Sequence, residues 1–228
     1  MCPEDKAVVL GAGSCNGVDA RGRFDPERID AGARADLRGV LKLPPAAPVL
    51  GFVGRIVREK GIVELAEAWA QLSREWPDLH LVLVGPREDE DRVPADVLRG
   101  LSEHPRVRFV PVVEDPAPYY ALMDVVVLPS YREGLPNVPL EAAAMRLPVV
   151  ATRVPGCTDA IVDGVTGTLV PPHVAQPLVA AVSAYLRSPG LRRQHGNAAH
   201  ARVVRDFVPE SVWEGVLELY RAALAARR

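Results

Sequence analysis

Short apolar runs alternate along this chain with longer stretches in which apolar residues recur every three or four positions. The short runs are apolar throughout and rich in valine and leucine, which is typical of strands covered on both faces of a sheet. We predict strands at residues 6–10, 49–53, 79–84, 106–110, 125–128, 148–151 and 167–170.

The longer stretches have the spacing of amphipathic helices. Ile62, Leu65 and Trp69 form one such stripe, and Pro44 and Pro45 end the preceding stretch. We predict helices at residues 26–43, 59–76, 94–102, 116–123, from about 137, and at 158–162, 175–187, 191–206 and 209–225. Because strands and helices alternate, the expected fold is a doubly wound, Rossmann-like α/β domain with a parallel sheet, helices on both faces and a helical C-terminus. With no repeat and no low-complexity linker, residues 1–228 are treated as one domain.

Composition narrows the function classes. The chain is 48% hydrophobic and 25% charged, so it can bury a core. A net charge of −2 gives no global attraction to nucleic acid, and any anion site must be local. Three scattered cysteines argue against a disulfide framework, and no apolar run reaches membrane-spanning length. We expect a cytoplasmic protein, with peripheral membrane contact left open.

The stretch 124–145 carries the clearest functional pattern. It is predicted to run from a strand through a loop into a helix, with Glu133 in the loop and Glu141 in the helix. Asn137 is the expected N-cap, and Pro139 suits the first turn. A helix N-terminus beyond the carboxyl end of a parallel strand favours an anion. A carboxylate beside a phosphate needs a partner of its own, and vicinal ribose hydroxyls would supply one, so the pattern indicates a nucleotide.

Two cations occupy a similar position after another strand. Arg55 and Lys60 lie between the strand 49–53 and the helix 59–76, where they could bracket a diphosphate. A solvated loop is the alternative, and for this segment alone it would be favoured. Together with the two glutamates, however, the cations favour one crevice that holds a diphosphate and hydroxyl groups.

Other patterns carry less weight. The glycines of segment 11–19 lack the register of a dinucleotide loop. Asp89 and Asp91 form a D-x-D pattern in a charged segment that reads better as a solvated loop, and we predict no metal site. Cys157 is either a reactive thiolate or, more plausibly, a small packed residue. Ser130 has no surroundings typical of a nucleophile.

Several motifs together resemble a known family. They are Gly54-Arg55 with Lys60-Gly61, E-G-x-P-N-x-x-x-E at residues 133–141, N-G-V-D at 16–19, L-V-G at 83–85, Y-Y-A-x-x-D at 119–124 and D-G-x-T-G at 163–167. They resemble the retaining, nucleotide-sugar-dependent glycosyltransferases of GT-B fold, the group 1 family that includes glycogen synthase-like and mannosyltransferase-like enzymes. The sequence S-Y-R-E-G-L-P-N at 130–137 is most similar to bacterial transferases that build surface polysaccharide and capsule.

The resemblance implies roles for particular residues. Glu141 would bind both ribose hydroxyls, Glu133 would touch the hydroxyls of the donor sugar, and Arg55 and Lys60 would hold the diphosphate. Main-chain groups would complete the donor site, at Gly54, Gly134, Leu135, Pro136, Asn137 and Val138. Glu133, Arg55 and Lys60 would be the catalytic residues, the cations would replace a metal, and no cofactor beyond the nucleotide-diphosphate sugar is expected.

The resemblance also implies a missing partner. Family members carry an N-terminal domain that binds the acceptor, so we expect this chain to be the C-terminal, donor-binding half, inactive by itself. The apolar stripe of the last helix would pack on that domain or lead to self-association. A nucleotide-sugar epimerase or hydrolase, or a non-catalytic nucleotide-binding module, remains as an alternative. The base, the sugar and the acceptor are not determined, although main chain near Pro111 and Val112 is a candidate for base contacts.

Overall fold

A computed structural model of the chain describes residue 13 and residues 16–88 and 91–225. Its centre is a parallel sheet in the order β3-β2-β1-β4-β5-β6. The strands are β1 (Val49–Val53), β2 (His80–Val84), β3 (Val107–Val110), β4 (Val125–Leu128), β5 (Val149–Thr152) and β6 (Gly167–Val170). Each agrees with a predicted strand to within one residue at either end. The predicted strand at 6–10 lies outside the described residues.

Helices connect successive strands and cover both faces of the sheet. They are α1 (Ala31–Val40), α2 (Ile62–Glu75), α3 (Ala95–Glu103), α4 (Ala117–Tyr120), α5 (Asn137–Ala144), α6 (Cys157–Ala160), α7 (Ala175–Arg187), α8 (Pro189–Asp206) and α9 (Pro209–Ala225), with single turns of 3-10 helix at Pro26–Arg28 and Arg58–Lys60. The prediction of a doubly wound Rossmann-like domain is therefore confirmed.

Two predicted helices begin later than expected, and each has a local cause. The stretch 26–43 is divided, because Ile29 is extended after the first 3-10 turn and the Asp30 side chain then caps α1 by accepting from Ala33 N–H at 2.8 Å. The stretch 59–76 is divided at Gly61, whose φ of +71° ends the second 3-10 turn. Residues 58–60 are thereby separated from α2 and free to form part of a loop.

The core consists of two apolar layers, one on each face of the sheet. In the first layer α5 packs against α8, and buried residues of β4 and β5 meet them. In the second layer α2 packs against α7 and covers the other side of the same strands. All positions of β2, β4 and β5 are buried, which explains why these segments are apolar without alternation.

Strand order reverses between β1 and β4, which are neighbours although two strands intervene in sequence. In open α/β sheets this is the place where loops diverge and a ligand crevice forms. Here the two loops also touch. A Cβ atom on Gly61 would lie 2.0 Å from the carbonyl oxygen of Pro129, so only glycine allows the loop after β1 to approach the loop after β4 so closely.

Helix α9 presents a stripe that the described residues leave uncovered. Trp213 is 63% exposed, Tyr220 66% and Leu224 66%. Its start and end agree with the prediction. Within the described ranges, no helix is long and apolar enough to span a membrane.

Candidate functional site

The candidate site lies at the carboxyl ends of β1 and β4, where α5 begins. Residue Pro136 holds the N-cap position with an extended backbone and makes no side-chain cap hydrogen bond. Asn137 is already helical, so the prediction that Asn137 caps the helix is wrong; proline fits the half-helical position because its φ is fixed and its missing N–H costs nothing there. The first-turn N–H groups of Asn137 and Val138 have no acceptor one turn back in the helix and can face an anion.

The loop before α5 offers main chain rather than side chains. Leu135 and Val138 pack their side chains against the core, and Pro136 is buried. Pro136 was also expected to contribute to the site for the donor sugar. Because proline has no N–H, it cannot donate a main-chain hydrogen bond to a ligand there. Gly134 is exposed, and a Cβ atom built on it would meet nothing within 4 Å. The side of Gly134 on which a side chain would project is therefore open.

Lys60 and Glu133 meet in this crevice. Lys60 Nζ lies 2.6 Å from Glu133 Oε1, and the two side chains are 17% and 10% exposed. The two residues come from different loops, 73 positions apart in sequence. The predicted meeting of the strand-end loops is thus confirmed, and the cation and the carboxylate neutralise each other.

Arg55 takes a different direction. Its guanidinium bonds to Glu88 and to Glu59, each at 2.9 Å, and the side chain is 47% exposed. The hydrogen bond with Glu88 is the main cause that raises the Arg55 pKa. Glu59 also pairs with Arg132 at 3.0 Å. Arg55 and Lys60 therefore do not share a partner among the described residues.

Gly54 contributes geometry more than a hydrogen bond. Its N–H donates to the carbonyl of Val84 at 2.9 Å, so it continues the β1–β2 ladder and is not available to a donor. A Cβ atom on Gly85 would stand 2.0 Å from the Gly54 carbonyl oxygen. The two glycines let the ends of β1 and β2 run side by side below the crevice.

Glu141 is held by a residue whose role the sequence did not reveal. The hydroxyl of Tyr120 donates to Glu141 Oε2 at 2.9 Å, and Tyr120 is fully buried. Burial raises the Glu141 pKa, while the bond from Tyr120 and the charge of Arg23 act in the opposite direction. In the sequence, the only indication that Tyr120 matters for the site is its place in the motif Y-Y-A-x-x-D. Arg23, which pairs with Asp115 at 2.8 Å, carried no signal at all.

Two further residues have structural roles. Cys157 is buried at the start of α6, and burial raises its pKa to about 12, so the packed-residue interpretation is confirmed over a reactive thiolate. Ser130 is fully buried, and its hydroxyl has no hydrogen-bond partner among the described residues, so no base there activates it as a nucleophile.

The D-x-D segment is seen only in part, because Asp89 lies outside the described residues. Asp91 accepts from Glu59 N–H at 2.5 Å and so supports the turn that carries Lys60. Across the described residues, no cluster of three or more histidine, cysteine, aspartate or glutamate side chains could hold a metal ion. Pro111 and Val112 are exposed directly after β3, at the carboxyl ends of the strands, where the crevice also lies.

Comparison with known proteins identifies the family. The profile of the family described as "Glycosyl transferases group 1" matches residues 47–188, which include both strand-end loops and α5. The chain belongs to this family. The fold, a parallel sheet flanked by helices, is Rossmann-like and matches that of GT-B glycosyltransferase structures.

Individual relatives agree with this assignment. The chain is 31% identical over 224 residues to the capsular polysaccharide biosynthesis glycosyltransferase CapM of Staphylococcus aureus, covering 98% of this chain and 57% of CapM. A glycosyltransferase structure from Rickettsia africae superposes with a TM-score of 0.85 at 23% identity, covering 97% of this chain and 58% of the other. The structure of Anabaena HepE in complex with UDP-glucose superposes with a TM-score of 0.80 at 23% identity, covering 91% and 56%. The chain spans about half the length of the curated relatives it matches.

Proposed function

We propose that this chain is the donor-binding half of a retaining glycosyltransferase that uses a nucleotide-diphosphate sugar. The observation that carries the proposal is the meeting of Lys60 and Glu133 at 2.6 Å beside the uncapped start of α5. The structure of HepE with UDP-glucose supports it, because that protein shares this fold and binds a donor of this class.

The nucleoside would be held through Glu141. Tyr120 occupies one side of this carboxylate through Oε2, which fixes its orientation and leaves lone pairs for the ribose hydroxyls. Such charge-assisted hydrogen bonds contribute about 1.5 to 3 kcal/mol each. Glu141 has to be ionised for this task, although burial favours its protonated form. Ribose hydroxyls that donate to it would offset part of that cost.

The diphosphate would lie between the start of α5 and Lys60. The N–H groups of Asn137 and Val138 would donate to its oxygens, and Lys60 would leave Glu133 and pair with phosphate. Glu133 would then be free to accept from the hydroxyls of the sugar. Arg55 would join only if phosphate drew it from Glu59 and Glu88.

Catalysis would follow from the same exchange. As the bond between the sugar and the diphosphate breaks, negative charge grows on the leaving phosphate, and Lys60 and the helix N–H groups would stabilise it. Removing one such group typically costs about 2.7 to 4 kcal/mol in the barrier. We propose that these groups act without a metal ion and that the sugar keeps its anomeric configuration, as the resemblance to retaining enzymes implies.

The acceptor would be bound elsewhere in the full-length protein. We propose an N-terminal acceptor domain, with the exposed stripe of α9 as one contact to it, and a role in bacterial surface polysaccharide or glycoconjugate synthesis, as in CapM. Replacing Trp213 and Tyr220 by serine should then reduce self-association of the isolated chain in light scattering without lowering its Tm. A chain that is monomeric with its α9 amides protected from exchange would contradict this role.

The full-length enzyme tests the activity. It should transfer sugar from one of a panel of UDP, GDP and ADP sugars in the presence of a chelator, and NMR of the product should show the anomeric configuration of the donor. The Lys60→Ala variant should lose most of the rate. Loss of transfer on addition of the chelator, or an inverted product, would refute the mechanism. Donor hydrolysis or epimerisation without an acceptor would favour the epimerase or hydrolase alternative.

A further inference from the structure

Tyr131 connects three loops at the rim of the crevice. Its N–H donates to the carbonyl of Glu59 at 2.8 Å. Its hydroxyl donates to the Glu64 carboxylate, 2.9 Å from Oε1 and 2.8 Å from Oε2. Its ring contacts the ring of His173, with 4.0 Å between centroids. The main chain and side chain of this one residue therefore join the loops after β1, β4 and β6 and the start of α2.

Tyr131 and Glu64 each lie close in sequence to one member of the Lys60–Glu133 pair. Tyr131 precedes Glu133 by two residues in the loop after β4, and Glu64, in the first turn of α2, follows Lys60 by four residues. The bond between Tyr131 and Glu64 thus joins the same two segments that carry Glu133 and Lys60. Arg132, the residue between, points outward to Glu59 and is 83% exposed.

Burial, followed by the bond to Glu64, raises the Tyr131 pKa to about 12, while Arg58 acts in the opposite direction. The hydroxyl is therefore protonated at neutral pH and donates to the Glu64 carboxylate. A protonated tyrosine and a carboxylate form a charge-assisted hydrogen bond, which is shorter and stronger than a neutral one. The contact is well suited to fix the separation of two loops.

We propose that Tyr131 and Glu64 are positioning residues that set the distance between Glu133 and Lys60 and so determine how well the site accepts the sugar and the diphosphate of a donor. This inference rests on the proposed function. Neither residue belongs to the donor contacts proposed above. Their effect acts through the loops, and it therefore concerns the diphosphate sugar more than the nucleoside, which is held separately by Glu141.

The variant Tyr131→Phe isolates the hydroxyl, because it keeps the ring on His173 and the main-chain bond to Glu59. Calorimetry should show binding of the matching nucleotide-diphosphate sugar weakened on the order of tenfold, the equivalent of one charge-assisted hydrogen bond. Binding of the nucleoside monophosphate should stay unchanged. Glu64→Ala should reproduce the loss, and Glu64→Gln, whose amide oxygen can still accept, should restore most of the affinity. Tyr185→Phe, which removes a hydroxyl that bonds to Thr168 and His195 away from the proposed site residues, is the matched control.

Hydrogen exchange gives a readout that needs no ligand. Amides of residues 57–61 and 129–136 should exchange faster in Tyr131→Phe, at unchanged global Tm, and Glu64→Gln should resemble the wild type. Unchanged exchange and unchanged donor binding would overturn the inference, as would equal weakening of monophosphate and diphosphate sugar. A wild-type chain that binds no nucleotide would refute the proposed function and the donor role of Tyr131 with it, while exchange would still show whether the hydroxyl joins the loops.

Discussion

The variant Glu133→Gln should bind a nucleoside diphosphate more tightly than the wild-type chain, even though it removes a residue of the proposed site. In the structure Glu133 neutralises Lys60 across 2.6 Å, with both side chains mostly buried. If Lys60 holds phosphate, then Glu133 competes with that phosphate for it. Glutamine keeps the shape and removes the charge.

The structure sets the size of the effect. For as long as Lys60 stays in contact with Glu133, a phosphate oxygen bonded to Lys60 Nζ at about 2.8 Å can lie no more than about 5.4 Å from Glu133 Oε1, because the pair itself is 2.6 Å apart. Repulsion between unit charges at that separation is about 3 kcal/mol at an effective dielectric constant of about 20, and about 0.8 kcal/mol in bulk water. For this partly exposed pair we expect an intermediate value, an affinity gain of about tenfold.

Calorimetric titration of the chain with UDP, GDP and ADP measures this gain. The matching nucleotide-diphosphate sugar should show the opposite trend, since Glu133 would contact the sugar hydroxyls. Glu103→Gln makes the same chemical change at an exposed position at the end of α3, at the opposite edge of the sheet, and should have no effect. Weaker or unchanged binding of the diphosphate by Glu133→Gln would refute the competition between Glu133 and phosphate.

Three further predictions concern stability and reactivity. Because burial raises the folded-state pKa of Glu141 above its unfolded value, the wild-type chain should lose stability as the pH rises between these two values. Glu141→Gln should therefore melt a few degrees higher at neutral pH, with the gap closing towards acid in a series of Tm measurements. Gly61→Ala should destabilise the chain by more than about 2 kcal/mol in urea unfolding, since Gly61 has a φ of +71° and an added Cβ would meet Pro129. The control Gly100→Ala adds a Cβ in open space in the middle of α3 and should stabilise the chain by up to about 1 kcal/mol. With the other two cysteines replaced by serine, Cys157 should react with iodoacetamide only in the unfolded chain, since its pKa is about 12; rapid native labelling would contradict its burial.

The sheet was predictable from sequence because buried parallel strands have a strong signature. An uninterrupted apolar run such as 125–128 is typical of a buried parallel strand and too short for a helix, and prolines and glycines at the ends of such runs mark the boundaries. Helix starts were harder to predict. The division at Gly61 follows from a close approach to Pro129, a contact between loops far apart in sequence that local patterns cannot show.

The candidate site was predictable to a similar degree. The motifs pointed to Lys60, Glu133 and Glu141, and the structure brings the first two into contact. Side-chain partners are a tertiary property, and they were not predictable. Arg55 bonds to Glu88 and Glu59, and Tyr120 orients Glu141 from a helix that carried only a weak motif.

Nucleotide titration of the wild-type chain tests the central claim most directly. We predict that at least one of UDP, GDP and ADP binds with measurable heat, and that Lys60→Ala and Glu141→Gln each weaken this binding about tenfold or more, in keeping with the loss of a charge-assisted contact. Absence of binding to all three nucleotides, or binding that neither substitution affects, would contradict the assignment of this crevice as the donor site.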